Sequence, residues 1–120
     1  MIIKEDLEKY ILGRCTVEEV ENIETMLEEQ LSIFGWEYEF GPDEQSDSGN
    51  EKHILLNLKG RDFKGTFNDE IEIYSSLDDV CIDVVRIVAD YTVYLNMDII
   101  DIIELINTSI TENAEYSIPR

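Results

Sequence analysis

Apolar residues along this chain recur at two spacings, three-to-four in some stretches and two in others, and the switches between them mark out the elements. Ile3, Leu7 and Ile11 share one face of a short predicted helix over 4–12. Gly13 is placed to stop it, because glycine adopts the left-handed conformation with which many helices end. Thr16-Val17-Glu18-Glu19 has the form of a capping box, in which hydroxyl and carboxylate each satisfy a free backbone N–H. It opens a predicted helix to about Ser32 whose buried stripe is Val20, Ile23, Leu27, Leu31 and Phe34.

Period two takes over at Trp36-Glu37-Tyr38-Glu39-Phe40, where aromatics alternate with glutamates as in a half-buried strand. Gly41-Pro42 ends that strand, and 42–52 reads as a mobile acidic loop. A second strand is predicted over 53–59, followed by a turn at Gly60-Arg61-Asp62. A third, weakened by Gly65, covers 63–67; Asn68-Asp69 signals a turn before a fourth at 70–74. Ser76-Leu77-Asp78-Asp79 resembles another helix start. Over 80–95 the spacing of Val80, Val84, Ile87, Val88 and Tyr91 predicts a helix with Asp79, Asp83, Arg86 and Asp90 on its outer face. Asn96 breaks it, and a last helix over 97–110 turns Ile99, Ile102, Ile103, Ile106 and Ile110 inward.

The expected fold is therefore α+β: two N-terminal helices, an antiparallel sheet of three to four strands, and two C-terminal helices, packed on one sheet face. Residues 1–113 form the single domain and 114–120 a loose tail. Trp36, Tyr38, Phe40, Ile54, Leu56, Leu58, Ile71 and Ile73 make the covered face of the sheet. The opposite face carries Glu37, Glu39, Glu70 and Glu72 beside Leu55, Lys64 and Tyr74. Like charges directly across strands are destabilising, so this placement is the sharpest positional hint in the chain.

Charge sharpens it further. The 120 residues hold 28 Asp and Glu against 9 Lys and Arg, a net charge of −19. Taking away 42–51, with its four acids and no base, still leaves −15 on the body, so the acidity is not a local tail. With 17 isoleucines but only five lysines, the shortage of cations is the unexpected feature. Such a field repels nucleic acid and anionic membranes at long range, which excludes both as direct partners. No apolar run has the length of a membrane span, and the first residues do not read as a signal peptide, so a cytoplasmic location in a bacterial or phage-infected host is expected.

Catalytic material is thin. Cys15, Cys81 and the single His53 match no nucleophile signature, and the six glycines are too dispersed for a phosphate loop. Helically spaced acid pairs at Asp79/Asp83 and Asp98/Asp101 could share a divalent ion. Glu21-x-x-Glu24 with Asp98-x-x-Asp101 imitates the acidic pairs of bundle-type nucleotide pyrophosphohydrolases, but strands intervene where that fold has helix. Among 28 acids such pairs arise by coincidence, and no metal or cofactor is expected.

In size, acidity and lack of a catalytic motif the chain resembles phage-encoded anti-defence proteins, such as anti-CRISPR or anti-restriction DNA mimics, and immunity proteins against nuclease toxins. The expectation is a non-catalytic inhibitor that binds the basic nucleic-acid-binding surface of a partner protein, with a homodimer as a further possibility. Carboxylates accept charge-assisted hydrogen bonds from the Arg and Lys that otherwise hold phosphates. The partner-binding candidates are Glu37, Glu39, Glu70, Glu72, Tyr74, Asp79, Asp83 and Asp90. Tyrosines strengthen a polar interface; Tyr38 and Tyr91 read as core, Tyr74 and Tyr94 as evenly balanced. The alternatives are an acidic structural or adaptor protein of a phage or bacterial complex and, more remotely, a small metal-dependent hydrolase.

Overall fold

The computed structural model describes residues 2–32, 36–44, 49–62, 65–89 and 91–111, excepting the side chains of 62 and 108–111. Two helices, α1 (Lys4–Ile11) and α2 (Val17–Ser32), precede five strands, β1 (Glu37–Pro42), β2 (Lys52–Asp62), β3 (Gly65–Ser76), β4 (Asp79–Val88) and β5 (Tyr91–Leu95), and a helix α3 (Ile99–Thr111). The strands form one antiparallel sheet in the order β1-β2-β3-β4-β5.

Local chemistry sets the helix ends as expected. The Gly13 N–H donates to the Tyr10 carbonyl (3.2 Å) and the Arg14 N–H to that of Lys9 (2.9 Å), a Schellman closure with Gly13 at φ 73°. A Cβ on Gly13 would stand 2.5 Å from the backbone carbon of Asn50, so glycine is required there by shape as well as by conformation. Thr16 and Glu19 form the predicted capping box: the Glu19 N–H donates to Thr16 Oγ1 (3.1 Å), and the Thr16 N–H to Glu19 Oε1 (2.9 Å). Lys9 also reaches Glu19 at 2.8 Å. These contacts hold the Glu19 carboxyl down at about 2, the Lys9 bond first among the causes.

The sheet face under the helices carries Ile54, Leu56, Leu58, Ile71, Ile73 and Val84, which pack with Leu7, Tyr10, Ile11, Ile23, Leu27, Leu31, Ile102, Ile103 and Ile106 into one core. Trp36 is buried with them, while Tyr38 and Phe40 stack beside each other at the half-buried β1 edge, 5.5 Å between centroids. Ile3 is exposed; Ile2 is buried instead, its N–H and carbonyl both bonded to the Asn107 amide of α3. The phenol of buried Tyr10 donates to Glu24 (2.6 Å), and burial, reinforced by that bond, pushes its pKa up.

The segment 80–95, read as the first of the two C-terminal helices, is instead β4 and β5, giving three helices and five strands among the described residues. Six of the nine residues 80–88 are β-branched, which favours strand, and their inward set is Val80, Ile82, Val84, Arg86 and Val88. The supposed helix start at 76–79 is the β3–β4 hairpin turn: Leu77 (φ 51°) and Asp78 (φ 64°) take the left-handed pair that suits a two-residue loop. Asn68-Asp69 is no turn, and the two predicted strands around it are the single β3. Asp69 is fully buried and forms a two-pronged ion pair with Arg86 across the ladder (2.9 and 3.0 Å). Arg86 also lies 3.8 Å over the Phe67 ring, which in turn covers Gly60. Gly60 and Arg61, expected in a turn, are paired within β2. Phe34, Phe63, Lys64, Asp90, the 45–48 part of the acidic loop and the tail 114–120 lie outside the described residues, as does the side chain of Ile110.

Candidate acidic interface

Because side chains alternate along a strand, the register decides which acids meet. On the face away from the helices, one cross-strand row reads Glu37, Asn57, Glu70, Val85 and Tyr94; the next reads Glu39, Leu55, Glu72 and Asp83. Successive carboxylates on β1 and on β3 therefore repeat at about 6.8 Å along the strand, and the two strands lie about 9.6 Å apart with β2 between them. Leu55 and Val85 floor an open concavity of about 400 Å³ that Glu37, Glu39, Glu70, Glu72 and Asp83 surround. Glu72 and Asp83 stand directly opposite each other on neighbouring strands.

One of these acids, Asp83, has a hydrogen-bond partner on the same face. Tyr74 on the same face donates its phenol to Asp83 (3.0 Å), and that bond pushes the Tyr74 pKa up. His53 Nε2 lies 3.8 Å from Glu39. Glu37, Glu70 and Glu72 make no hydrogen bond or ion pair among the described residues. Lys59 and Arg61 fall on this face by register, at the far end of β2. The Oδ1 atoms of Asn57 and Asn68 on the same face are buried and accept no hydrogen bond among the described residues.

The structure thus brings Glu37, Glu39, Glu70, Glu72, Tyr74 and Asp83 together. Asp79 points the same way but sits at the hairpin end opposite Ser76, and Asp90 lies outside the described residues. The helical face expected to unite Asp79, Asp83, Arg86 and Asp90 does not exist: Arg86 points toward the helices and Asp83 away from them. Asp79 and Asp83, four residues apart on a strand, are separated by about 13.6 Å, too far to share an ion. Asn57 and Val85 were not among the expected site residues. Asn57 continues the alternation of Leu55, but Val85 joins the face only once β4 is a strand.

The other chemical candidates have structural roles. Asp98 and Asp101 form a capping box on α3, each backbone N–H donating to the other's carboxylate at 3.0 Å. Glu24 is held by Tyr10. Cys15 packs against the helix-side core, where burial raises its pKa, and His53 occupies the opposite sheet face, so no dyad forms. Tyr38 is half-buried, whereas Tyr91, expected in the core, is 74% exposed. Among the described residues no group of three His, Cys, Asp or Glu side chains is arranged to hold a metal ion, and no helix is long and apolar enough to cross a membrane. Neither a protein family, nor a curated protein, nor a solved structure matches the chain.

Proposed function

We propose that this protein is a small non-catalytic inhibitor that covers the basic nucleic-acid-binding surface of a partner protein, acting as an anti-defence protein or as immunity to a nuclease toxin. The observation that carries the reading is the grid of five carboxylates around Leu55 and Val85 on an open sheet face. Rigid strands hold the carboxylates at fixed spacing, so Arg and Lys of a partner meet acceptors that lose little freedom on binding. Leu55 and Val85 receive the aliphatic stems of those side chains. The overall charge of −19 speeds encounter with a cationic surface and repels competing anions.

The test is capture from the native host followed by binding to the purified partner. A basic partner is expected, displaced by duplex DNA or guide RNA, with affinity falling steeply as salt rises. Changing Glu37, Glu39, Glu70 and Glu72 together to Gln should weaken binding about 100-fold, which corresponds to about 2.7 kcal/mol. Only neutral or acidic partners, or unchanged binding by the quadruple variant, would overturn the proposal; the second result is what an adaptor predicts.

A further inference from the structure

The two edges of the sheet are guarded differently. β1 carries Glu37, Glu39 and Pro42, the charges and proline that prevent edge-to-edge pairing. β5, at the other edge, reads Tyr91-Thr92-Val93-Tyr94-Leu95, with neither charge nor proline, in a chain whose residues are 31% charged. Among the described residues it pairs with β4 alone, so one row of its backbone N–H and C=O groups faces outward. Leu95 packs partly against the core, but the other side chains are open on both faces: Tyr91 and Val93 on the helix side are 74% and 47% exposed, and Tyr94 on the acidic side is 81% exposed.

We infer that β5 is a dimerisation edge, pairing antiparallel with β5 of a second copy about a two-fold axis at Val93, into a continuous ten-stranded sheet. Directional backbone groups require an extended strand as occupant, and the charge pattern selects this chain. A cationic segment meets no carboxylate among the side chains of β5, whereas β5 complements itself. The two-fold register places Val93 opposite Val93, Tyr91 opposite Leu95 and Thr92 opposite Tyr94, so apolar groups meet and no like charges do. Nor do the acidic faces collide. The two β4 strands lie three strand spacings apart, about 14 Å, which exceeds the Debye length of about 8 Å at physiological salt. A two-fold axis normal to the sheet leaves both carboxylate grids on the same side. The inference stands independently of the inhibitor reading; if both hold, the partner meets two grids on one platform.

Sedimentation equilibrium of the full chain from 1 to 500 µM at physiological salt tests it. The expected mass is twice 13.9 kDa, with weaker association at low salt. Val93→Glu sets like charges face to face across the axis and should raise the dimer dissociation constant at least tenfold, with the melting curve reporting that the monomer still folds. As a second measurement, Val93→Cys in a chain with Cys15 and Cys81 changed to Ser should form an intermolecular disulfide under mild oxidation. Thr92→Cys, which faces Tyr94 of the second copy, should not. A wild-type chain that stays monomeric throughout, a dimer that Val93→Glu leaves intact, or equal cross-linking from both positions overturns the inference.

Discussion

Glu72 and Asp83 oppose each other across β3 and β4 on an exposed face, so removing either charge should stabilise the fold. Directly opposed residues have Cβ atoms about 4.5–5.5 Å apart. With the carboxylates about 6 Å apart, Coulomb repulsion is about 0.7 kcal/mol at the dielectric of water and about 2.8 kcal/mol at an effective value of about 20. Both side chains are open to solvent, so the lower figure governs. Glu72→Gln is expected to add about 0.5–1 kcal/mol, or about 2–4 °C in melting temperature for a chain of this size. Asp83→Asn, which keeps an oxygen for the Tyr74 phenol, should do nearly the same. The double variant should gain clearly less than the sum, because either change alone already abolishes the repulsion. At 1 M salt, where the Debye length is about 3 Å, most of the gain should vanish. Urea unfolding of the four proteins at low and high salt measures all of this. If Glu72→Gln destabilises, or the two changes are additive at low salt, the acidic face is not strained by its own charge and the reasoning fails.

Gly13→Ala should cost about 2–5 kcal/mol in urea unfolding, combining a left-handed conformation with a Cβ forced against Asn50. Asp69→Ala should cost about 3–5 kcal/mol because it removes the two-pronged carboxylate partner of the largely buried Arg86 guanidinium, whereas Asp69→Leu with Arg86→Leu should recover much of that; a double as unstable as the single would contradict the pairing. Replacing Leu77-Asp78 by Asn-Gly should stabilise the hairpin by about 1 kcal/mol in thermal melts, since both positions have positive φ. For Glu19, whose folded pKa is lowered, the stabilising contribution is complete above its ordinary value of 4.5 and is lost as pH falls through about 2. Asp69 has the opposite sign, because desolvation outweighs Arg86 and raises its pKa, so it adds nothing to acid unfolding. Melting temperatures between pH 4.5 and 2 should accordingly fall more in the wild type than in Glu19→Gln.

The parts legible in the sequence are those that neighbouring residues decide. Gly13 stops α1, Thr16 and Glu19 open α2, and the alternation from Glu37 to Phe40 gives a strand, all through contacts spanning a few residues. The failures are places where a distant partner decides. Asn68-Asp69 has the chemistry of a turn, yet Arg86, 17 residues beyond Asp69, makes it a strand interior. In turn, Arg86 can face Asp69 only if 79–88 is extended, whereas Val80, Val84, Ile87 and Val88 also fit a helical period. One buried ion pair therefore underlies both errors: misplacing Asp69 removes the reason for β4. The acidic face survived because four of its glutamates lie on β1 and β3, where alternation is local.

Acids that answer to the fold can now be separated from acids that do not. Glu19 caps α2, Asp98 and Asp101 cap α3, Glu24 takes the Tyr10 proton donor, and Asp69 neutralises Arg86. Replacing any of these removes a bond, so their presence needs no partner to explain it. Glu37, Glu70 and Glu72 differ: among the described residues they bond to nothing, and Glu72 faces Asp83 directly across the ladder. Solubility alone is served by charge anywhere on the surface and gives no reason to place it where it repels most. A rigid sheet that holds like charges in register does make sense if a cationic surface completes it, since the repulsion present in the free protein is relieved on binding. The same feature then weakens the fold and strengthens the complex, so neutralising Glu72 should move stability and affinity in opposite directions.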